Sequence, residues 1–336
     1  GYSPDELEHL LRLNGMDKAA IPPSLLNLAS TPRLFPLIVR LKDSDALRAD
    51  ATVLRLLFEY GKDVRQIRTS SALTDEAWVS WLGSRAMEYR DRLVKTGSGA
   101  SASTIKDVTS SLSDPGVSSE DLARRLSDVV DGDFFQIQSS LTGTKKFSLK
   151  EQPTVLGLGI ALLDDLEDAE NTLEGVQAHV LKWLEPVGAI DLSADVLRAA
   201  LAILSALGAS DGTAPTDALL LLWLNAQNPS ASIERDALAF GESFPRSMLT
   251  VIEHSVSGSR LAAFHYAVQS IRRLPRSRTN DWDRITQRML DWTSWVTLPS
   301  EAHLNDPNHY AGRHNQQLLA RIGVGTHSLG LTETAY

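Results

Sequence analysis

The chain has 336 residues, of which 43% are hydrophobic, and its 33 basic and 42 acidic side chains give a formal net charge of −9. This length exceeds one average domain, and the apolar content suffices for more than one core. The excess of acidic residues argues against a protein that binds nucleic acid or an anionic membrane, because the surface that contacts either partner requires an excess of Lys and Arg. Cysteine is absent, which excludes disulfides, thiolate nucleophiles and cysteine-ligated metals.

Apolar residues recur at helical spacing through residues 1–95, which predicts a helical domain there. Ser3 and Pro4 stand at the cap and first-turn positions of a helix that runs to Leu13. Two further helices are predicted to meet at Pro32, and two more follow before the domain ends.

Residues 96–151 differ from the preceding helical domain in composition and in the pattern of predicted elements, and they predict a winged-helix domain. A Gly- and Ser-rich loop opens this segment. A helix, a turn, a capped second helix and two strands are then predicted at residues 104–112, 113–116, 118–130, 134–138 and 146–149. Two helices followed by a β-hairpin are the order of elements in a winged helix.

The second of these helices would read DNA in a nucleic-acid-binding winged helix. Its Arg124 and Arg125 are outnumbered by acidic residues that include Glu120, Asp121 and Asp128. A helix that enters the major groove beside phosphates does not carry a net negative charge. We therefore expect this winged helix to pack against protein and not against DNA.

Residues 152–298 predict an α-helical repeat domain. Helix pairs are predicted at 194–207 with 216–226, 233–240 with 245–254, and 260–274 with 282–295. Successive pairs of about 40 residues are typical of an α-solenoid of the HEAT or armadillo type. Residues 299–336 turn polar and irregular, so the predicted fold class is mainly α: a helical bundle, a small winged helix, then solenoid pairs.

Targeting segments are not recognisable in the sequence. The first residues lack the basic and apolar regions of a secretory leader. No apolar stretch approaches the roughly 18 residues of a membrane helix. We expect a cytoplasmic protein without a membrane partner, cut from a longer chain.

The densest basic cluster follows an acidic region. Residues 151–254 carry a net charge of −12. The cluster then comprises Arg272, Arg273, Arg276 and Arg278, close in sequence to several tryptophans. Arginines beside aromatic rings are suited to a phosphate backbone or an acidic ligand, whereas a solvated face or a protein interface is the alternative. The succession of an acidic region and a basic cluster along the sequence favours docking between protein surfaces.

An acidic motif offers an enzymatic alternative. Asp164, Asp165 and Asp168 match the Asp-Asp-x-x-Asp pattern by which isoprenoid synthases hold magnesium and a diphosphate. Carboxylates one helical turn apart are able to share a hard cation. The second acidic motif of such enzymes does not appear downstream, so a solvated acidic face is the competing interpretation.

Other chemical motifs lack their structural setting. No Walker A sequence occurs. Gly208, Ser210 and Gly212 form a Gly-x-Ser-x-Gly pattern, but a predicted helix precedes it where a nucleophile elbow needs a strand. We therefore predict a turn that ends the helix.

A group of histidines lies near the end of the sequence. It comprises His303, His309 and His314, with Asp306 among them and His327 beyond. Their spacing does not place them on one face of a helix. They are interpreted as loop residues, with zinc as the alternative.

The order of elements resembles the region that follows the nucleotide-binding core in STAND-type P-loop NTPases, the bacterial NLR-like proteins. Residues 22–34 are similar to the lid segment of that family, and Pro32 takes the place of the proline that packs on adenine. Ser30 stands where the family has glycine. Residues 147–163 resemble the exit from the winged helix, and residues 183–207 resemble the first helical repeats.

The resemblance implies a non-catalytic regulatory and sensor part of a signalling or anti-phage defence ATPase. ATP or ADP with magnesium would be held by a core outside this chain, and no cofactor by this chain alone. Its partners would be that core or another protein, with homo-oligomers on activation. A stand-alone helical scaffold, a winged-helix nucleic-acid adaptor and a magnesium-dependent isoprenoid enzyme are the alternatives.

Overall fold

A computed structural model describes most of the first 257 residues. The described residues are 1–21, 23–32, 34–40, 42, 53–67, 74–96, 103–113, 116–129, 135–139, 145–188, 192–226, 231–257, 266, 267 and 270. The contacts divide the chain into two compact units, Gly1–Ala209 and Ser210–Tyr336. The predicted boundaries at residues 95 and 151 both fall inside the first unit, and they remain predictions.

The first unit is built mainly from helices. Its α-helices are α1 (Pro4–Leu13), α2 (Pro23–Ala29), α3 (Phe35–Arg40), α4 (Val53–Ile67), α5 (Asp75–Thr96), α6 (Ile105–Leu112), α7 (Ser119–Val129), α8 (Glu151–Asp165), α9 (Leu173–Gly188) and α10 (Ser193–Ala206). Short 3₁₀ helices lie at Lys18–Ala20 and Leu166–Asp168, and the strands are β1 (Ser103–Thr104), β2 (Phe135–Ser139) and β3 (Lys145–Leu149).

The described part of the second unit is also helical. It contains α11 (Ala214–Ala226), α12 (Ala231–Ser243) and α13 (Pro245–Ser257). The ring of Trp223 on α11 meets the ring of Phe240 on α12 edge to face, with centroids 5.2 Å apart. Helix α13 packs against both α11 and α12. The prediction of a mainly α protein is therefore confirmed, and within the described ranges no helix is long and apolar enough to cross a membrane.

Helix α1 shows how closely local sequence signals specify this fold. The Ser3 hydroxyl accepts a hydrogen bond from the Glu6 amide, and the Glu6 carboxylate accepts one from the Ser3 amide at 2.8 Å. This capping box and Pro4 in the first turn satisfy the helix start without tertiary contacts. Leu7 and Leu11, one turn apart, are then buried in the core.

The two helices and the hairpin predicted between residues 96 and 151 are present, with one addition. Strands β2 and β3 pair antiparallel as a hairpin, with Ile137 opposite Phe147. The two-residue strand β1 adds to the other edge of β3, which gives the strand order β1-β3-β2. Two residues carry no alternation of apolar and polar side chains, so no sequence signal marks β1.

Helix α8 lies at the centre of the first unit. Its residues from Pro153 to Leu162 are buried on every side, and it packs against both α5 and α10. Helix α5, which belongs to the predicted lid-like domain, thus lies along the first helix of the predicted repeat domain. Helices α1, α5, α8 and α10 all contribute buried residues to one hydrophobic core.

Candidate functional site

Pro32 lies in the turn between α2 and α3, where two helices are predicted to meet. Its side chain is exposed. The turn is closed by the Leu34 amide, which donates to the Thr31 carbonyl at 2.9 Å, and by the Thr31 amide, which donates to the Leu28 carbonyl at 3.0 Å. Proline lacks an amide proton and leaves these bonds intact. The exposed ring is thus presented on the surface by a hydrogen-bonded turn.

A cavity of about 120 Å³ begins two residues after Pro32 in the sequence. Helices α3 and α4 form part of it, and the start of α8 forms the rest. Its apolar wall is made by leucines and prolines, whereas two cations and one amide supply the polar groups. The lining residues are Leu34, Pro36, Leu37, Leu57 and Pro153 on the apolar side, and Arg40, Lys150 and Gln152 on the polar side.

The two cations of this cavity are held by different elements. The Arg40 guanidinium, on the last turn of α3, lies over the ring of the buried Tyr60 at 4.9 Å from its centroid, which is a cation–π geometry. Lys150 is the N-cap residue of α8, and its carbonyl accepts hydrogen bonds from the Thr154 amide and hydroxyl. The polar groups that line this cavity therefore include two basic side chains and the amide of Gln152.

The two arginines of helix α7 both contact other groups of the protein. Arg124 forms ion pairs within the helix, at 2.6 Å with Glu120 and 3.7 Å with Asp121. Arg125 donates a hydrogen bond to the Leu112 carbonyl of α6 at 3.0 Å. Because Arg124 is ion-paired and Arg125 is directed to a carbonyl of α6, the helix attracts phosphates weakly, which favours the predicted packing role over DNA reading.

The acidic motif lies at the end of α8. The Asp165 carboxylate lies 2.5 Å from Nε2 of His179, within hydrogen-bonding distance, and Asp168 falls in the following 3₁₀ helix. Burial, and then the charge of Glu167, raise the pKa of Asp164. No group of three His, Asp or Glu side chains is arranged to hold a metal ion in the part of the chain that the structure covers. The magnesium hypothesis therefore gains no support from this region.

The Gly-x-Ser-x-Gly pattern is a turn that ends α10, as predicted. Gly208 has a φ of +65° and Gly212 a φ of +75°, a backbone conformation that favours glycine. The Ala209 amide donates to the Leu204 carbonyl at 2.9 Å, which closes the last helical turn. No strand precedes this turn, since α10 runs to Ala206.

Asp211, inside this pattern, caps a helix that begins 34 residues later. Its carboxylate accepts hydrogen bonds from the Arg246 amide at 2.8 Å and from the Ser247 amide at 3.0 Å. The Ser247 hydroxyl also donates to Asp211 and accepts from the Gly212 amide. These bonds satisfy amides at the first turn of α13. Ser247 is 0% exposed, so it is a structural residue that no substrate reaches.

Asp217 on α11 is a second carboxylate beside α13. Its Oδ2 accepts a hydrogen bond from the Thr250 hydroxyl at 2.9 Å, and its Oδ1 is buried with no partner among the described residues. Burial raises the pKa of Asp217, and hydrogen bonds from Ser247 and Thr250 act in the opposite direction. The charge of Asp211 raises the pKa further, and His254 lowers it.

We expect Asp217→Asn to raise the free energy of unfolding at pH 7 by about 1 kcal/mol. The folded-state pKa of Asp217 is raised, so its contribution to stability is full below the unfolded pKa and is lost as pH rises through the folded pKa. Asparagine is neutral and still accepts from the Thr250 hydroxyl. Urea unfolding of both proteins at pH 7 and at about pH 4 measures the effect, which should shrink at the lower pH.

The matched control is Asp168→Asn, because Asp168 is exposed. Surface changes of this kind usually alter stability by less than about 0.5 kcal/mol. A loss of stability at pH 7 for Asp217→Asn, or a gain that does not change with pH, would contradict the assignment.

The remaining predicted contact residues lie outside the described residues. These are the basic cluster Arg272, Arg273, Arg276 and Arg278, and the loop group His303, Asp306, His309, His314 and His327. Of the predicted helix at 260–274, the structure describes Tyr266, Ala267 and Ser270. The Ser270 hydroxyl donates to the Ala237 carbonyl on α12 at 2.9 Å.

Arg40, Asp211 and Asp217 are not predicted as site residues from the sequence. Arg40 is one arginine among ordinary helical residues, and only the fold brings it near Lys150. The aspartates pair with groups more than 30 positions away. An aspartate between two glycines was the one available sign of a capping turn.

Comparisons with known proteins identify no relative. No protein-family model matches the chain, and no curated protein or solved structure is significantly similar to it. The fold and the residues of the sites above are therefore the grounds on which a function is proposed.

Proposed function

We propose that this chain is the non-catalytic regulatory and sensor part of a STAND-like ATPase. The observation that carries the proposal is the order of its elements. The helices α1 to α5 precede the elements β1, α6, α7, β2 and β3 of the predicted winged helix, and the helices α8 to α13 follow. This order is the one expected for a lid, a winged helix and a helical sensor.

The site supports a contact with a nucleotide held elsewhere. Pro32 exposes its ring on a hydrogen-bonded turn, as a proline that packs on adenine would require. The 120 Å³ cavity near this turn is smaller than the roughly 300 Å³ of ordinary ligand pockets. In this proposal, nucleotide and magnesium bind to a core outside the chain, and Pro32 adds one apolar contact.

The packing of α8 supports a regulatory role for the winged helix. Lys150, directly after β3, begins α8, so a shift of the hairpin acts on a helix that is buried against α5 and α10. Tightly packed interiors rearrange between discrete states and deform little. We propose that α8 passes a change at the winged helix to the helices around it.

The test begins with the complete reading frame that contains this chain. A Walker A motif upstream of Gly1 is expected. The full-length protein should then bind a fluorescent ADP analogue, and Pro32→Ala should weaken that binding about tenfold, or about 1.4 kcal/mol. Pro4→Ala is the matched control, because Pro4 is also an exposed proline of the first unit. Neither change removes a buried group, so both variants should fold.

Three results would contradict this function. They are a reading frame without a Walker motif, a full-length protein without affinity for ADP, and equal affinities for Pro32→Ala and Pro4→Ala. The first two would favour a stand-alone helical scaffold. A gel shift with duplex DNA at low salt would instead favour a nucleic-acid adaptor, and the ion pairs of α7 predict that no shift appears.

A further inference from the structure

We propose that Tyr2 is a positioning residue for the turn that carries Pro32. The role of Tyr2 in nucleotide binding rests on the proposed function, whereas its effect on the turn is measurable without a nucleotide. Tyr2 contacts the chain on both sides of Pro32, once through its backbone amide and once through its ring.

The first contact is a backbone hydrogen bond to the end of α2. The Tyr2 amide donates to the Ser30 carbonyl at 2.7 Å, one residue after α2 ends at Ala29. Carbonyls at the end of a helix lack partners within that helix, so this bond supplies a donor that α2 itself does not have. The approach is close, because a Cβ atom at Gly1 would lie 2.9 Å from the same carbonyl oxygen. The segment before α1 therefore lies directly against the residue that precedes the turn.

The second contact is made by the Tyr2 ring. It meets the ring of Phe35 edge to face, with centroids 5.8 Å apart and an interplanar angle of 82°. Such a pair is favourable beyond the apolar area that it buries. Phe35 is the first residue of α3 and is buried, and its amide donates to the Thr31 carbonyl at 3.1 Å. Tyr2 thus contacts a residue whose own hydrogen bond closes the turn.

Tyr2 is itself held by the start of α1. The neighbouring Ser3 forms a capping box, which fixes the direction in which the chain enters the helix. Leu7 and Leu11 then bury one face of α1 in the core. Tyr2 therefore ties both sides of the turn to an anchored helix, and the placement of the Pro32 ring depends on this tie.

Amide hydrogen exchange of the chain, followed by NMR, tests the effect on the turn. In Tyr2→Ala, the amides of Leu34 and Phe35 should exchange about three- to tenfold faster, because loss of the ring contact favours local opening. Tyr2→Phe keeps the ring and the backbone bond, so it should restore slow exchange. Leu13→Ala is the control, because Leu13 is an exposed side chain at the other end of α1, and it should leave the turn unchanged.

A role in general stability alone would not be confined to the turn. Loss of global stability speeds exchange at amides that open only by complete unfolding, and the buried helix α8 provides such amides. We expect them to keep their exchange rates in Tyr2→Ala. Unchanged rates at the turn, equal acceleration in the turn and in α8, or equal rates in Tyr2→Ala and Tyr2→Phe would each overturn the proposal.

The affinity of the full-length protein for the fluorescent ADP analogue tests the link to Pro32. Tyr2→Ala should weaken binding, and Tyr2→Phe should restore it. The double variant Tyr2→Ala with Pro32→Ala should bind no more weakly than Pro32→Ala alone, because residues that act as one unit do not give additive effects. If Pro32→Ala weakens binding, then an unchanged affinity in Tyr2→Ala or additive losses in the double variant would overturn the positioning role. If Pro32→Ala leaves the affinity unchanged, the proposed function fails, and the exchange rates alone decide whether Tyr2 positions the turn.

Discussion

Trp223→Ala is expected to lower the free energy of unfolding of the second unit by about 3–5 kcal/mol, the usual cost of removing a buried tryptophan. The Trp223 side chain is 0% exposed and meets Phe240 edge to face at 5.2 Å. Alanine would remove this ring contact between α11 and α12 and leave a cavity in its place. Chemical unfolding followed by circular dichroism measures the loss.

Trp223→Phe separates packing from hydrogen bonding. The indole N–H of Trp223 is buried with no acceptor among the described residues, and a buried donor without a partner carries a desolvation cost. Phenylalanine removes that donor and keeps an aromatic ring for Phe240. We expect Trp223→Phe to cost far less than Trp223→Ala. Equal losses for the two variants would show that the ring contact is not what stabilises the helices.

The second large effect is expected at the two glycines of α8. A Cβ atom at Gly157 would lie 2.7 Å from the Leu82 carbonyl oxygen of α5, and a Cβ atom at Gly159 would lie 2.9 Å from the Ala200 amide nitrogen of α10. Both obstacles are backbone atoms, so no side-chain rotation relieves the clash. Overpacking costs about 1–3 kcal/mol, and we expect Gly157→Ala and Gly159→Ala to reach the upper part of that range.

Helix propensity acts in the opposite direction and provides the control. Alanine is about 1 kcal/mol more favourable than glycine inside a helix, so only a severe clash produces a net loss. Gly188, the last residue of α9, would place its Cβ at an ordinary 3.4 Å from the Ser193 hydroxyl. Gly188→Ala should therefore leave stability nearly unchanged. Thermal unfolding of the three variants decides the point, and a stabilised Gly157→Ala would contradict the close approach of α5 and α8.

Local signals made part of this fold predictable. The Ser3 cap, the hairpin of β2 and β3 and the helix-ending turn at Gly208 each depend on residues close together in sequence. Such signals are readable because caps, strand alternation and turns have fixed residue requirements. The helix junction at Pro32 belongs to the same class.

Tertiary features were not predictable from one sequence. In the sequence, the glycines of α8 indicate only a low helix propensity, although they are the points where α5 and α10 come closest to α8. Likewise, Arg40 and Lys150 are more than 100 positions apart, so the cavity that they line has no local pattern. Strand β1 depends on pairing with β3 and not on its own two residues. In each case the determining contact joins distant segments.

The cap that Asp211 provides for α13 has a consequence for how the second unit folds. Helix α13 has 13 residues, and isolated helices of about 12–15 residues are only marginally stable in water. Because its first amides are satisfied by a carboxylate located before α11, α13 gains that stabilisation only when the turn before α11 has already been brought to it. The two helices therefore form one cooperative folding unit, and local opening of the turn and fraying of α13 should occur together.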